Sequence, residues 1–479
     1  MKVLSVVSEI YPLVKTGGLG DVAGALPLAL AEHGVEMLTL VPGYPPVMAK
    51  LPRGDEIMTF ADVFGGPARV LSSRAEGLPL LVIDAPHLFS RAGTPYVAAN
   101  GQEWPDNAFR FGALSWIAAR LGLGEVPAFT PDIVHCHDWQ AGLVPAYLTF
   151  EGAKHVRTVM TVHNLAYQGK FPAELLTALR LPPESFRIDG VEYYGGIGFL
   201  KAGLQFADRI STVSPTYAVE ICTPENGQGL DGLLRARAGV LSAIANGIDT
   251  MVWDPRYDTR IPVRFGPNTI SGRAGNTAEL RRRFALENGA GQLLIGIVSR
   301  LVSQKGLDIL IEAAPSLLDQ GAQFAILGTG DSELERQLTL LAMTYPGQVG
   351  CIIGYDEELA HLVQAGADAL LVPSRFEPCG TTQLCAMRYG AVPVVSKVGG
   401  LADTVADVDH SALDTATGIH ISPVTKKALE IAGQRALALW ADKEQWQRIQ
   451  QNGMRTDVSW KKPAEQYARL YSDLIATKY

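Results

Sequence analysis

Short apolar, β-branched runs alternate with helical stretches along almost all of this 479-residue chain, and that alternation admits few folds. The runs are Val3–Val7, Met37–Val41, Leu80–Ile83, Ile133–His135, Val156–Val162, Arg209–Val213 and Ala243–Ala245, then Leu293–Val298, Gln323–Leu327, Gly350–Ile353, Ala369–Val372 and Val392–Val395. Apolar strands joined by helices form parallel sheets covered on both faces, because each crossover helix must lie over the sheet it connects. The series breaks near Asn246-Gly247-Ile248-Asp249. After it, Thr250–Asn276 is rich in Pro, Gly, Arg and Asp, weakly periodic, and reads as a linker. The expectation is an α/β protein of two doubly wound, Rossmann-like domains facing a central cleft. Residues 1–245 form the first and 246–455 the second. In the tail, 456–479, Pro463–Ala476 is an amphipathic helix with Tyr467, Leu470, Tyr471 and Leu474 on one face. Ligands of open parallel sheets sit beyond the carboxyl ends of the strands. Motifs that follow strands in both halves are therefore the candidates for one site.

Charge narrows the partners. The net charge is −8 and no basic block occurs, so the sequence predicts no nucleic-acid partner. The five cysteines, Cys136, Cys222, Cys351, Cys379 and Cys385, lack zinc spacing and read as reduced thiols of a cytoplasmic protein. No apolar run reaches the roughly 18 residues a membrane span needs. Pro12 and Lys15-Thr16-Gly17-Gly18 interrupt the N-terminal apolar run before it could serve as a secretion signal.

Pro373-Ser374-Arg375-Phe376-Glu377-Pro378-Cys379-Gly380-Thr381-Thr382-Gln383 follows one apolar run and precedes a helix closed by Gly390. It places a carboxylate and a glycine at a helix start, where free N–H groups and the dipole favour anions. Lys15-Thr16-Gly17-Gly18-Leu19-Gly20-Asp21-Val22 does the same after the first strand, with Lys15 as a mobile charge; a tight strand-to-helix turn with a solvated lysine would look alike. Ser299-Arg300-Leu301-Val302-Ser303-Gln304-Lys305-Gly306 supplies a guanidinium fork and an ammonium suited to a diphosphate. Their place beside a helix start, unfavourable for cations without a ligand, points the same way.

His137-Asp138-Trp139 and His163-Asn164 follow two strands of the first half. Imidazole, carboxylate and carboxamide groups suit sugar hydroxyls, and an indole offers a stacking face; a structural His–Asp hydrogen bond fits the same residues. His135 and His137 form an H-x-H pair without a third ligand at zinc spacing. Gly399-Gly400-Leu401-Ala402-Asp403-Thr404 reads as a further glycine turn, and Tyr355 as either a base-stacking ring or a surface residue. Asp407-Val408-Asp409 has the D-x-D form of a metal–diphosphate site, yet no strand directly precedes it, so it reads as a solvated loop.

Taken in order, K-T-G-G-L-G-D-V, H-D-W, G-L-D-G-L-L at Gly229–Leu234, N-G-I-D, S-R-L-x-x-Q-K-G, P-S-R-F-E-P-C-G and Ser459-Trp460 closely resemble bacterial glycogen synthases and plant starch synthases over essentially the whole chain. The resemblance implies the GT-B arrangement and a C-terminal helix that crosses back to the first domain. It implies transfer of glucose, with retention, from ADP-glucose to the nonreducing 4-hydroxyl of an α-1,4-glucan such as glycogen or a maltooligosaccharide. No cofactor or metal is implied. The broader superfamily often carries E-x7-E; here the second position is Cys385, so no role passes to a second carboxylate. By the same resemblance, Arg300 and Lys305 would stabilise the leaving diphosphate, with Lys15 from the other domain. Gly17, Gly18, Cys379, Gly380, Thr381, Thr382 and Tyr355 would hold the donor, while Glu377, His163 and Asp138 would position the sugar. A dehydrogenase would want G-x-G-x-x-G after the first strand, which Lys15–Val22 is not. A glucan phosphorylase would share the domain plan but need a pyridoxal lysine, and a noncatalytic glucan-binding protein would need neither Arg300 nor Lys305.

Overall fold

The computed structural model describes residues 1–52, 54–98, 101–127, 129–288 and 291–476. Its strands in chain order are β1 (Lys2–Val6), β2 (Glu36–Pro42), β3 (Asp55–Phe60), β4 (Ala68–Ala75), β5 (Leu78–Asp84), β6 (Ile133–His137), β7 (Arg157–Val162), β8 (Lys170–Pro172), β9 (Glu192–Tyr193), β10 (Gly196–Gly198), β11 (Arg209–Thr212), β12 (Leu241–Ala243), β13 (Leu293–Leu301), β14 (Ala322–Gly330), β15 (Val349–Ile353), β16 (Ala369–Val372), β17 (Val392–Ser396) and β18 (Ile419–Ile421). The chain divides into two compact units. One is Met1–Asn246 with the chain from Trp460 onward; the other is Gly247–Ser459.

The first unit is built on a sheet ordered β12-β11-β7-β6-β1-β2-β5-β4-β3. Its pairs from β12 to β5 are parallel. The edge is an antiparallel ribbon, β3 on β4 and β4 on β5. The apolar alternation missed β3 and β4 because their partly exposed edge positions carry Asp55, Glu56, Arg69 and Arg74 instead of a continuous apolar run. A small antiparallel sheet, β8-β10-β9, also lies outside the expected pattern. On one face of the large sheet the final helix, Lys461–Ala476, buries Tyr467, Tyr471 and Leu474 against Val3, Val22 and Leu26.

The second unit is an all-parallel sheet ordered β15-β14-β13-β16-β17-β18. Numbered within the unit this is 3-2-1-4-5-6, the doubly wound order whose direction reverses between strands 1 and 4. The continuous apolar character of these strands follows from burial on both faces, with Leu293, Ile295 and Ile297 packed in one layer and Leu294 in the other. Thr250–Asn276 is not a linker. It packs into this unit through Ile261 and Phe265, and Asp258 accepts buried hydrogen bonds from Tyr389 Oη (2.6 Å) and from His361 Nδ1 (2.7 Å). Its Pro, Gly and charged residues hid that burial from a periodicity reading. Among the described residues no helix is long and apolar enough to cross a membrane.

Candidate active site

In each of the two large sheets the parallel strands reverse their winding direction once, and the sequence motifs gather at those two points. In the first unit the reversal lies between β1 and β6; in the second it lies between β13 and β16. A crevice opens there because the helices that follow the two strands leave on opposite faces.

Beyond β1, Lys15, Gly17 and Gly18 lead into the helix Gly18–Ala31. A side chain on Gly18 would meet nothing within 4 Å. Gly18 is exposed at this helix start, where the first N–H groups have no partner within the helix. Lys15 is not a free charge: its Nζ lies 2.7 Å from Asp21 Oδ1. A residue not singled out from the sequence, Glu9, stands behind the motif. It is 3% exposed and accepts hydrogen bonds from the Thr16 N–H and from Thr16 Oγ1 (2.7 Å). Burial raises its carboxyl above the ordinary range despite those bonds. The available signal was a carboxylate three residues past the end of an apolar strand.

Beyond β6 and β7, Asp138 and His163 come together. The His163 N–H donates to Asp138 Oδ1 (2.7 Å), and the Asn164 N–H reaches the same oxygen at 3.4 Å. Asp138 has φ 55° and ψ −173°, a region that costs a side-chain-bearing residue on the order of 1–3 kcal/mol and persists where the surroundings enforce it. Burial pushes its carboxyl up to about 7, against the pull of the two N–H groups. Burial also lowers His163 to about 3, so the imidazole is neutral. Trp139 is no stacking platform: it is buried edge-on to Phe111, with ring centroids 4.8 Å apart.

In the second unit, Arg300 lies near the end of β13 and Lys305 in the short turn after it. Gly306 follows at φ 65°, where a Cβ would lie 2.1 Å from the Pro373 carbonyl oxygen; only glycine lets this turn close on the loop beyond β16. That loop delivers Glu377, 6% exposed. Lys305 Nζ lies 2.6 Å from Glu377 Oε2, which also accepts from Ser374 Oγ at 2.8 Å. Two motifs 72 residues apart thus meet as one ion pair. The loops are stitched elsewhere too. Arg375 donates to Asp308 at 2.8 and 2.5 Å and to the Ser303 carbonyl at 2.6 Å. That pairing lowers the Asp308 carboxyl and raises the Arg375 guanidinium. Arg300 is exposed and makes no side-chain hydrogen bond or ion pair among the described residues.

Cys379 is buried, and Gly380 (φ 69°), Thr381 and Thr382 form the turn into the helix Thr382–Tyr389. Gln383 Nε2 secures that turn through the Cys379 and Gly380 carbonyls, at 3.1 and 2.8 Å. Gly399 and Gly400 open a helix, Gly399–Thr404, rather than a bare turn. Side chains on them would strike the Glu377 and Cys379 carbonyls, so these glycines let the helix press on the Glu377 loop. Tyr355 follows the edge strand β15 and is 75% exposed, with its Oη 3.4 Å from Glu357 Oε2. Asp407 is not in a solvated loop: it is 4% exposed, bonded to the His420 and Asp409 N–H groups and paired with Arg435. Among the described residues no group of three or more His, Cys, Asp or Glu could hold a metal ion.

Known proteins resemble this chain along nearly its whole length. The starch synthase catalytic domain family matches residues 2–236, and glycosyl transferases group 1 matches 279–455. Glycogen synthase of Rhodopseudomonas palustris (strain HaA2) is 59% identical over 474 residues, covering 98% of both chains. That of Methylocella silvestris is 56% identical over 477 residues, covering 99% of both. The catalytic domain of starch synthase IV from Arabidopsis thaliana, solved with ADP and acarbose, superposes with a TM-score of 0.91 at 31% identity, covering 99% of both chains. Two Rossmann-like units of the GT-B class, polar groups at both winding reversals and full-length likeness agree: the chain belongs to the glycogen synthase family of glycosyltransferases.

Proposed function

We propose that this protein transfers glucose from ADP-glucose to the nonreducing 4-hydroxyl of an α-1,4-glucan, with retention at the anomeric carbon and without a metal or other cofactor. The observation that carries the reading is the winding reversal of the second unit, where Arg300, Lys305 and Glu377 gather. The ADP and acarbose bound in the related starch synthase structure support the donor and acceptor classes.

The roles follow from charge and geometry. As the glycosidic bond to the diphosphate breaks, negative charge grows on the leaving oxygens. The Arg300 fork and the Lys305 ammonium meet that charge, aided by N–H groups at the Gly380–Thr382 turn. In the first unit, Lys15 and the helix start at Gly17 and Gly18 suit phosphate charge in the same way. Lys305 and Ser374 both bind Glu377 Oε2. This leaves Oε1 as the acceptor for a sugar hydroxyl. Asp138 and His163 orient the transferring sugar and its acceptor. No second carboxylate stands at the Cys385 position, so attack runs on the face of the departing phosphate, which takes the proton of the incoming hydroxyl.

The test is steady-state transfer to glycogen from four nucleotide-glucoses, with and without EDTA, followed by anomer analysis of the new linkage. Preference for ADP-glucose, an α-linkage and indifference to EDTA are expected. Activity only with phosphate and glucan would make it a phosphorylase. Loss in EDTA restored by Mg²⁺ or Mn²⁺ would end the metal-free reading.

A further inference from the structure

His137 has no part in the roles above, yet it is fully buried against a residue that does. It ends β6, and His163 lies one residue past β7 on the neighbouring parallel strand. His137 Nδ1 is 2.9 Å from His163 Nε2. The ring planes are 24° apart with centroids separated by 5.2 Å, as in two imidazoles meeting nitrogen to nitrogen. A second ring, His135, covers His137 at a centroid distance of 4.1 Å. His135 is itself held at both nitrogens, by Tyr471 Oη (2.7 Å) and Thr161 Oγ1 (2.6 Å).

One proton lies between the two facing nitrogens, and its owner decides what His163 can do. The outer nitrogen of His137, Nε2, is buried without a hydrogen-bond partner. Were His163 to donate, His137 would carry its proton on Nε2, a sealed N–H with nothing to bind. Orphaned buried donors are rarer than under-used acceptor lone pairs. With His137 as donor, its Nε2 is only a bare lone pair, and His163 carries its proton on Nδ1. His163 is half-buried, and no hydrogen bond engages its Nδ1 among the described residues.

We propose that His137 is a positioning residue for glucosyl transfer: it donates Nδ1–H to His163 Nε2 and fixes His163 as the Nδ1–H tautomer, a dedicated hydrogen-bond donor toward a hydroxyl of the transferring sugar. The sugar part rests on the function proposed above; the tautomer does not. Burial of all three rings, which disfavours their charged forms, keeps the arrangement neutral.

The experiment has two arms. In full-length protein labelled with ¹⁵N-histidine, two-bond ¹H–¹⁵N correlations report the tautomer of each ring, and the His163 and His137 signals are assigned by their loss in single variants. Both rings should show a protonated Nδ1 and a bare Nε2; a proton on either Nε2 overturns the proposal. In kinetics, His137→Leu should lower kcat about tenfold, the scale of one lost hydrogen bond, with donor KM within about threefold. His137→Asn, whose amide N–H can stand where Nδ1–H stood, should recover most of it. Equal losses in both variants, or none, reject the positioning role. If His137→Leu does not fold, the wild-type spectra and His137→Asn still decide. A protein that transfers no glucose from any donor would refute the proposed function, and with it the sugar part, while the spectra judge the tautomer separately.

Discussion

Beyond β6 and β7 of the first unit, burial holds the imidazoles neutral and raises a carboxyl; beyond β13 and β16 of the second, the polar groups form ion pairs or stand exposed. His135 and His163 are depressed to about 3, and Asp138 is raised to about 7. Beyond β13 and β16, by contrast, lie the exposed Arg300, the Lys305–Glu377 pair and the Arg375–Asp308 pair. A winding reversal in each of two different sheets thus carries its own electrostatic regime, set by which side chains follow the strands. Neutral donors and acceptors suit hydroxyl groups, since desolvating them costs far less than desolvating charge. A cluster of cations suits a diphosphate. The difference teaches that in such a protein the fold supplies the place and the loops supply the chemistry.

The contrast breaks first at the cations. Arg300→Ala and Lys305→Ala should each lower kcat by about 10²-fold or more, the scale for losing a donor to developing charge. Stability should then separate them. Arg300 is exposed, so its loss should stay within about 0.5 kcal/mol. Loss of Lys305 strips the cation from buried Glu377 and should cost about 1–3 kcal/mol in chemical unfolding. A soluble Arg300→Ala with near-wild-type kcat would show that the second unit's charge is not what drives transfer.

Asp138 tests the neutral side. Its carboxyl titrates near 7 in the folded protein and near 3.9 unfolded. As the carboxylate it accepts two N–H groups, so kcat/KM should rise with pH through about 7, and Asp138→Asn should lack that limb. Stability runs the other way. Between about pH 4 and 7 the native state holds a proton the unfolded chain has released, so this residue's contribution falls as pH rises through that window. The unfolding free energy of Asp138→Asn, measured across pH 5–8, should therefore decline less than that of the wild type. Parallel curves would mean that Asp138 titrates normally and that its surroundings in the first unit are not of low dielectric.

Much of this was legible from the chain. The buried strands announced themselves because burial on both faces demands unbroken apolar runs, and the motifs stood at their carboxyl ends. Residues 55–75 did not, because a sheet edge mixes exposed charges with apolar positions. Thr250–Asn276 misled for a related reason: besides Ile261 and Phe265, its burial runs through the polar Asp258, whose partners His361 and Tyr389 lie more than 100 residues away. The Lys305–Glu377 contact and the His137–His163 contact are likewise long-range facts. Each motif named its residues, but only the register of neighbouring strands says which two touch. Trp139 shows the limit of residue type alone, since its indole fills the core rather than facing a ligand.

The terminal helix sharpens the comparison at a smaller scale. Tyr471 and His135 are both fully buried and joined at 2.7 Å. Tyr471→Phe leaves an imidazole nitrogen unpartnered and should cost about 1–3 kcal/mol, read as a lower thermal midpoint. An unchanged midpoint would mean that His135 finds another partner and that the helix holds the first unit by apolar packing alone.

The smallest expected effect tests how far the second unit's site extends. Tyr355 follows β15, the edge strand, two strands from the reversal between β13 and β16. Strands lie about 4.8 Å apart, so β15 is roughly 10 Å from β13, within reach of a base attached to a diphosphate held beside Arg300. The ring is 75% exposed, and a stacking contact on so open a ring should lie near the lower end of the roughly 1–3 kcal/mol seen per base. Tyr355→Ala should therefore raise donor KM about fivefold and leave kcat unchanged, because the base is remote from the bond that breaks. Stacking is tolerant of base identity, so the factor should be alike for ADP-glucose and for any other nucleotide-glucose the enzyme accepts. An unchanged KM would confine the donor site to the neighbourhood of the reversal. A fall in kcat at constant KM would mean that Tyr355 acts in the transition state, so the charged cluster alone would not account for this unit's part in transfer.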